Sequence, residues 1–406
     1  MGARVLRPEG KGFLFLDSHP TGCARTVDEM ITEIGRVPAA HSEAAAPRVL
    51  LIGCSAGYGL ATAVAGLFGY RVRLVGVCFE RPATGRRSAS AGWYRTATLA
   101  DRAAAAGLQF AAVNGDCFDP AVREDALESV TRRLGAVDVL IYSVAAPRRT
   151  DPVTGAVHHS VVKPVGAPYQ ARNVAFADGA VLRDVLVEPA TEAEIFSTVA
   201  VMGGADWSAW VADLGGRGLL GPGFQTVALT YVGSDLTAPI YRHGTIGRAK
   251  DDLEATARRL TAGMLAEVGG TAVTSVNCAA VTMSSLAIPG ISVYLSLLRA
   301  VAGDRAQSPI RQSVRLWDHL TGRRAAETDS LGRLRLDDWE LAPDVQRDVT
   351  ARWREPAECL VAGLADLDWF RREIGRLYGF DVLGVDYGVP VEVDVPWPVP
   401  PEPVEW

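Results

Sequence analysis

The residues best suited to chemistry are Tyr241 and Lys250, in Tyr241-Arg-His-Gly-Thr-Ile-Gly-Arg-Ala-Lys250. A phenol ionises near pH ~10, too high for easy proton exchange at neutrality, and a nearby ammonium favours its phenolate. A paired tyrosine and lysine can therefore deliver protons. Eight residues separate the two. On one continuous helix, that offset would turn the chain by about 900° and put the side chains on opposite faces. Gly244 and Gly247 resolve the conflict by placing Tyr241 on a loop and Lys250 in the first turns of the next helix, Arg248–Leu260.

Such a pair needs a scaffold. Arg48–Gly53 reads as a buried parallel strand ending in a glycine turn, Leu60–Phe68 as a helix and Arg71–Phe79 as a second strand. Strands near Gln109–Val113 and Val137–Tyr142 flank a helix at Ala121–Leu134, and two late strands, Gln225–Tyr231 and Ala272–Asn277, bracket the lysine helix. This alternation predicts an α/β fold, a Rossmann-like doubly wound parallel sheet with N-terminal, central and C-terminal elaborations. A strand at Lys11–Asp17 and a helix at Val27–Ile34 precede the sheet, a stretch rich in polar turns (146–187) interrupts it, and helical segments such as Leu360–Tyr378 follow. One catalytic unit is expected over residues 1–395, with a cofactor core at about 47–285, covering helices at about 286–385 and an extended proline-rich tail at 396–406.

A net charge of −6 argues against a nucleic-acid surface. The six cysteines show no metal-ligand spacing and read as reduced core thiols. The opening residues lack an apolar leader, and the apolar stretch Leu286–Leu298 is too short to cross a bilayer. A cytoplasmic protein with no membrane partner is expected.

Gly53-Cys-Ser-Ala-Gly-Tyr-Gly59 lies between a predicted strand and helix, so its backbone can approach a pyrophosphate that the helix N-terminus stabilises. A plain tight turn is the competing reading. Glu80, at the end of the next strand, can accept hydrogen bonds from ribose hydroxyls and repel a 2′-phosphate, so NADH is expected over NADPH despite Arg81, Arg86 and Arg87 nearby. Asp116 suits the adenine edge, its alternative being a helix cap before Pro120. Ser143-Val-Ala-Ala146 supplies small residues where a flat cofactor must pass.

Several segments together resemble the FabV-type enoyl-[acyl-carrier-protein] reductase and trans-2-enoyl-CoA reductase family. They are the glycine loop, Phe79-Glu-Arg81, Ala91-Gly-Trp-Tyr94, Ser143-x-Ala-Ala-Pro-Arg-Arg149, Val199-Ala-Val-Met-Gly-Gly204, Tyr231-Val-Gly-Ser234, the Tyr241-x8-Lys250 pair and Leu336-Asp-Asp-Trp-Glu340. The resemblance spans nearly the whole chain. It implies a monomeric, NADH-dependent enzyme that reduces the α,β double bond of an enoyl thioester carried on coenzyme A or carrier protein. It further implies Tyr241 as proton donor, Lys250 on the nicotinamide ribose, and Tyr231 at the thioester carbonyl. The cofactor would be lined by Gly53, Cys54, Ser55, Ala56, Gly57, Tyr58, Phe79, Glu80, Asp116, Cys117, Val144, Ala145, Lys250, Ala280, Val281 and Thr282. From the residues alone, either tyrosine can supply the proton or hold the enolate oxygen. A core aromatic is the bland alternative for Tyr231, and a solvated helix-end lysine for Lys250. A carbonyl reductase of the same superfamily and a non-catalytic NAD-binding sensor are the rival functions.

The chain departs from the family's text at Cys54 and Ala56, and at Ala287-Ile-Pro-Gly-Ile-Ser-Val-Tyr294, where Gly290 enters and Ser292 replaces a proline. That segment shapes the acyl pocket, so acyl preference does not carry over, and a role in specialised metabolism is compatible with it. His158-His159 reads as a solvated turn, with no third ligand at metal-binding spacing. Arg148, Arg149 and Lys163 can meet coenzyme A phosphates or make surface ion pairs, and Trp93 and Tyr94 can wall the cleft or join the core.

Overall fold

The computed structural model describes residues 2–36, 46–176, 181–325 and 327–398. In place of the single early strand expected, Gly12 (φ +61°) turns the chain between β1 (Gly10–Lys11) and β2 (Leu14–Phe15). Helix α1 (Pro20–Ile34) begins a full two turns before the expected Val27, because His19 Nδ1 accepts from Gly22 N–H and a proline opens the helix. The core alternation follows as β3 (Arg48–Ile52), α2 (Gly57–Tyr70), β4 (Arg73–Cys78), α3 (Ala91–Ala105), β5 (Phe110–Asn114), α4 (Pro120–Arg133) and β6 (Val137–Tyr142).

The stretch at 146–187 holds two antiparallel hairpins, β7 (Arg148–Thr150) with β8 (Val157–His159) and β9 (Tyr169–Ala175) with β10 (Val181–Val187). β7, β8 and β9 carry no apolar run, and in β10 Arg183-Asp184 splits the apolar residues while Val185 and Leu186 stay exposed, so turn residues dominate the reading of that sequence. Then come α5 (Glu192–Met202), α6 (Ala205–Gly216), β11 (Leu220–Thr230), α7 (Thr245–Ala262), β12 (Thr271–Val276), α8 (Ile291–Ala302), α9 (Pro309–Leu320), β13 (Leu334–Arg335) and α10 (Pro343–Trp353). The expected long helix from Leu360 is broken. A short α11 (Ala357–Cys359) runs into a π turn at Leu360–Leu364, where Gly363 has φ +125°, and α12 (Leu367–Leu377) starts afresh on an Asp366 cap.

Seven strands form one parallel sheet in the order β13-β12-β11-β6-β3-β4-β5. The chain starts in the middle at β3, runs out to β5, then crosses back to β6, so the winding reverses between β3 and β6. Ligands of doubly wound sheets bind at that reversal, beyond the carboxyl ends of the strands. Alternate β3 residues serve opposite faces. Val49 and Leu51 pack with Leu60, Val64, Leu67 and Trp317, while Leu50 and Ile52 pack with Leu127, Trp207, Trp210 and Leu253. Both faces are dry, which fixes the rim geometry above them.

A third apolar cluster joins Tyr241 and Ile246 to α8, α10, α12 and the β9–β10 hairpin, making a cover over one end of the sheet. Trp397, in the expected extended tail, packs against Trp93 with ring centroids 4.7 Å apart, so this part of it is docked; residues 399–406 lie outside those described. Trp93 and Tyr94 belong to the core, with the Tyr94 hydroxyl donating to Val393 O (2.7 Å). Among the described residues no helix is long and apolar enough to cross a membrane.

Candidate active site

The glycine loop connects β3 to α2 at the winding reversal. Gly53 has φ +91°, and a Cβ there would fall 2.0 Å from Ser143 O; a Cβ on Gly59 would fall 1.9 Å from Gly53 O. Only glycine lets β3, the start of α2 and the end of β6 close this tightly. Ala56 caps α2 without any side-chain hydrogen bond, so the first N–H groups of α2 face outward, as an anion site requires. Cys54 packs inward (a Cβ on Gly76 would meet its sulfur at 2.5 Å), leaving only its backbone for a ligand. Gly57 faces Thr282, and the Tyr58 hydroxyl donates to Cys278 O (2.7 Å), which ties the loop to the segment after β12.

Around the rim, Phe79 follows β4 with two-thirds of its surface exposed, a free aromatic face. Next to it, Glu80 already accepts from Ser55 Oγ (2.6 Å) and Ser90 Oγ, and its backbone exchanges hydrogen bonds with the Asn114 amide. Each carboxylate oxygen keeps a second lone pair, so the serines orient Glu80 and leave it able to accept from a ribose. Asp116 accepts from Phe118 N–H (3.0 Å); the helix cap is Asp119, which removes the capping alternative for Asp116. Cys117, Val144, Ala145, Ala280, Val281 and Thr282 lie on the loops that follow β5, β6 and β12, all at the same sheet end. These residues fit a dinucleotide along the carboxyl edge.

The tyrosine loop explains the wide spacing. Tyr241 O accepts from both Gly244 N–H (3.1 Å) and Gly247 N–H (3.0 Å), folding the loop onto the first turn of α7. A Cβ on Gly247 would lie 1.7 Å from Arg242 O, so the fold-back requires glycine. Lys250 then falls in the second turn of α7, as the spacing predicts. Tyr231, directly after β11, meets Tyr241 edge to face with ring centroids 5.1 Å apart.

Burial dominates the electrostatics. It raises the Tyr241 phenol above its usual range, a rise that the Arg242 cation opposes. Lys250 is itself desolvated, its ammonium pushed down to about 8 against the attraction of Glu254. The Tyr241 hydroxyl has no hydrogen-bond partner among the described residues, yet it is not one of the sealed, unpartnered polar atoms. Tyr231, in contrast, donates to Glu340 Oε1 (2.9 Å).

The sequence assigns Glu340 no role beyond its place in Leu336-Asp-Asp-Trp-Glu340. It also accepts from Tyr294 Oη (2.8 Å) and from Ala279 N–H (2.5 Å), joining the strand ends to α8. Its neighbours in sequence, Asp337-Asp-Trp339, give no sign of its burial, which folding alone creates. The altered segment proves structural: Gly290 adopts φ +86° and donates its N–H to Asn173 Oδ1, while buried Ser292 Oγ accepts from Val174 N–H. Both bonds pin α8 to β9. Arg149 donates to Ala200 O and lies over Phe118, and Lys163 pairs with Glu194 at 2.5 Å, so both have protein partners. His158 packs edge-on against Phe196. A surface cleft of about 660 Å³ between α1 and α9 shares no lining residue with the tyrosine cluster, and its arginines alternate with Glu29 and Glu33.

Residues 87–321 match the family model described as trans-2-enoyl-CoA reductase catalytic region, and residues 5–85 that of the family's NAD(P)H binding domain. This chain belongs to the trans-2-enoyl-CoA reductase family. A third family model, described as enoyl reductase FAD binding domain, matches residues 328–391; here that region supplies β13, α10 to α12 and Glu340. A Streptomyces avermitilis relative named enoyl-[acyl-carrier-protein] reductase [NADH] is 54% identical over 97% of this chain and 100% of its own length. The Euglena gracilis trans-2-enoyl-CoA reductase is 41% identical over 98% of this chain and 73% of its own. Among solved structures, the Clostridium acetobutulicum trans-2-enoyl-CoA reductase in complex with NADH superposes with a TM-score of 0.90 at 31% identity, covering 96% of this chain and 98% of that one. The Treponema denticola trans-2-enoyl-CoA reductase in complex with NAD gives 0.89 at 35% identity, with the same coverage. The reductase family's fold thus extends over both the sheet and its helical cover.

Proposed function

We propose that this member of the trans-2-enoyl-CoA reductase family is an NADH-dependent reductase of the trans-2 double bond of an enoyl thioester. The observation that carries the reading is the adjacent Tyr231 and Tyr241 beneath an apolar cover, at the sheet end that also holds the glycine loop. NADH, when bound, supplies the hydride for the β-carbon. The α2 N-terminus would hold its pyrophosphate, Glu80 its ribose, Phe79 and Asp116 its adenine end, and Lys250 its nicotinamide ribose. Val144, Ala145 and Ala280–Thr282, on the loops after β6 and β12, would line it.

The π electrons displaced from the double bond move to the thioester oxygen, where a water-poor pocket makes a hydrogen-bond donor effective. Tyr231 serves that oxygen, and Tyr241 gives its proton to the α-carbon. The assignment of Tyr241 as donor is supported by its uncommitted hydroxyl and by burial, which keeps the phenol protonated. Arg149 and Lys163 are structural, which leaves the carrier's phosphate contacts to other residues.

The unit comprises residues 1–395, cofactor core first and covering helices after. The reading includes a cytoplasmic monomer acting on coenzyme A or carrier-protein substrates. The test is NADH consumption with crotonyl-CoA, a longer enoyl-CoA and a carrier-bound enoyl chain. Turnover with at least one is expected; no turnover with any of the three, alongside measurable NADH binding, overturns the reading.

A further inference from the structure

Glu340 gathers three donors and offers none while ionised. Oε1 accepts from Tyr231 and Tyr294, and Oε2 from Ala279 N–H. The side chain is fully buried, and among the described residues no cation pairs with it. A phenol carries one hydrogen. Gln346 Nε2 donates to the Tyr294 oxygen (3.2 Å) and to Glu340 O (2.6 Å), which fixes Tyr294 as a donor toward Glu340. Tyr231 has no such second donor. Its hydrogen points at Glu340 and away from any substrate oxygen for as long as Glu340 is ionised.

We propose that Glu340 is a positioning residue that sets the direction of the Tyr231 hydroxyl hydrogen. Protonated, Glu340 donates to the Tyr231 oxygen and frees that hydrogen for the thioester carbonyl; ionised, it holds the hydrogen and withdraws the donor. The inference rests on the enoyl reductase reading. In the step concerned, hydride forms the C–H bond at the β-carbon and the π pair becomes the enolate. Tyr231 keeps its proton and only hydrogen-bonds to the enolate oxygen. The enolate pair then takes the Tyr241 proton to form the α C–H bond, and Tyr241 recovers a proton from water. Glu340 exchanges protons with water alone.

The groups facing Glu340 are Tyr58 and Cys278 from the loop side, Tyr231 and Tyr294 from the pocket side, and Asp337 from its own segment. Asp337, the anion among them, is paired with Arg335 at 2.6 Å. Burial outweighs the three donors and lifts the Glu340 carboxyl to about 7. The acid form therefore prevails below neutrality, and the Tyr231 donor is lost as pH rises through that value.

Glu340→Gln keeps at every pH the feature of the acid form that matters here, since its amide oxygen can accept from Ala279 N–H and its amide nitrogen can donate to the Tyr231 oxygen. The experiment measures kcat/KM for crotonyl-CoA with NADH from pH 5.5 to 9 in wild type, Glu340→Gln, Tyr294→Phe, Tyr231→Phe and Tyr231→Phe/Glu340→Gln. Wild type should lose about tenfold per pH unit above an inflection near 7. Glu340→Gln should lack that inflection and exceed wild type about tenfold or more at pH 8.5. Tyr294→Phe, which removes a donor to the anion, should move the inflection up by about one pH unit. In the Tyr231→Phe background the glutamine should change nothing. A Glu340→Gln enzyme that keeps the wild-type inflection, or is folded and inactive at every pH, overturns the proposal. Should that variant not fold, an unmoved inflection in Tyr294→Phe overturns it. A wild type that reduces no enoyl thioester sinks the functional reading itself, an outcome distinct from these.

Discussion

Replacing Tyr241 by phenylalanine separates chemistry from packing in this site. The ring is 8% exposed and sits in the apolar cluster with α8 and α12, edge to face with Tyr231 at 5.1 Å. Phenylalanine keeps all of those contacts. The lost hydroxyl has no hydrogen-bond partner among the described residues, so no native bond breaks and no partner is stranded. Stability should change by less than about 1 kcal/mol. NADH affinity should also hold, because the glycine loop, Glu80 and Lys250 are untouched. The general-acid contribution disappears, and such groups supply about 10²- to 10⁴-fold, or ~2.7–5.4 kcal/mol of barrier. Single-turnover and steady-state rates with crotonyl-CoA, NADH titration by fluorescence and thermal melting measure the three quantities on one preparation. A kcat within about threefold of wild type would refute the donor role. A loss of kcat accompanied by an equal loss of NADH affinity or a collapsed melting transition would refute the separation of chemistry from packing.

Two further outcomes follow from the same electrostatics. Lys250 ionises at about 8 in the fold against 10.5 in the open chain, so between those values the unfolded chain binds more protons and stability rises with pH. At pH ~7 the buried ammonium costs roughly 3 kcal/mol, so Lys250→Met should melt higher than wild type while losing at least about tenfold in kcat; a lower melting temperature would contradict the burial argument. Glu80→Ala should raise the NADPH-to-NADH ratio of kcat/KM by about tenfold or more, since the charge that repels a 2′-phosphate is gone; an unchanged ratio in the two-cofactor assay would remove Glu80 from cofactor choice.

Most of the sheet was legible because its strands are short apolar runs bounded by glycine turns. β6 occupies Val137–Tyr142 as the pattern predicts, and β3, β4, β5, β11 and β12 differ from expectation mainly at their ends. The two hairpins at 148–187 were not legible, since each strand is stabilised by its hairpin partner, β7 and β8 also by α5 and β9 by α8, contacts that no local window contains. The break after Leu360 was missed for a related reason: Gly363 in a helical-looking run declares itself only when its φ is known.

At the site, residue types and spacing alone determined the glycine loop, the acid after β4 and the loop-then-helix placement of Tyr241 and Lys250. Each of these follows from local backbone sterics. Only the tertiary structure decided the rest. It brought Tyr231 against Tyr241 and turned the Tyr231 hydroxyl onto Glu340, 109 residues away in sequence. It also buried both Tyr241 and Lys250, which raises the phenol and pushes the ammonium down to about 8. Hydrogen-bond direction and desolvation depend on what surrounds a group in space, and the spacing of residues along a chain does not contain that information.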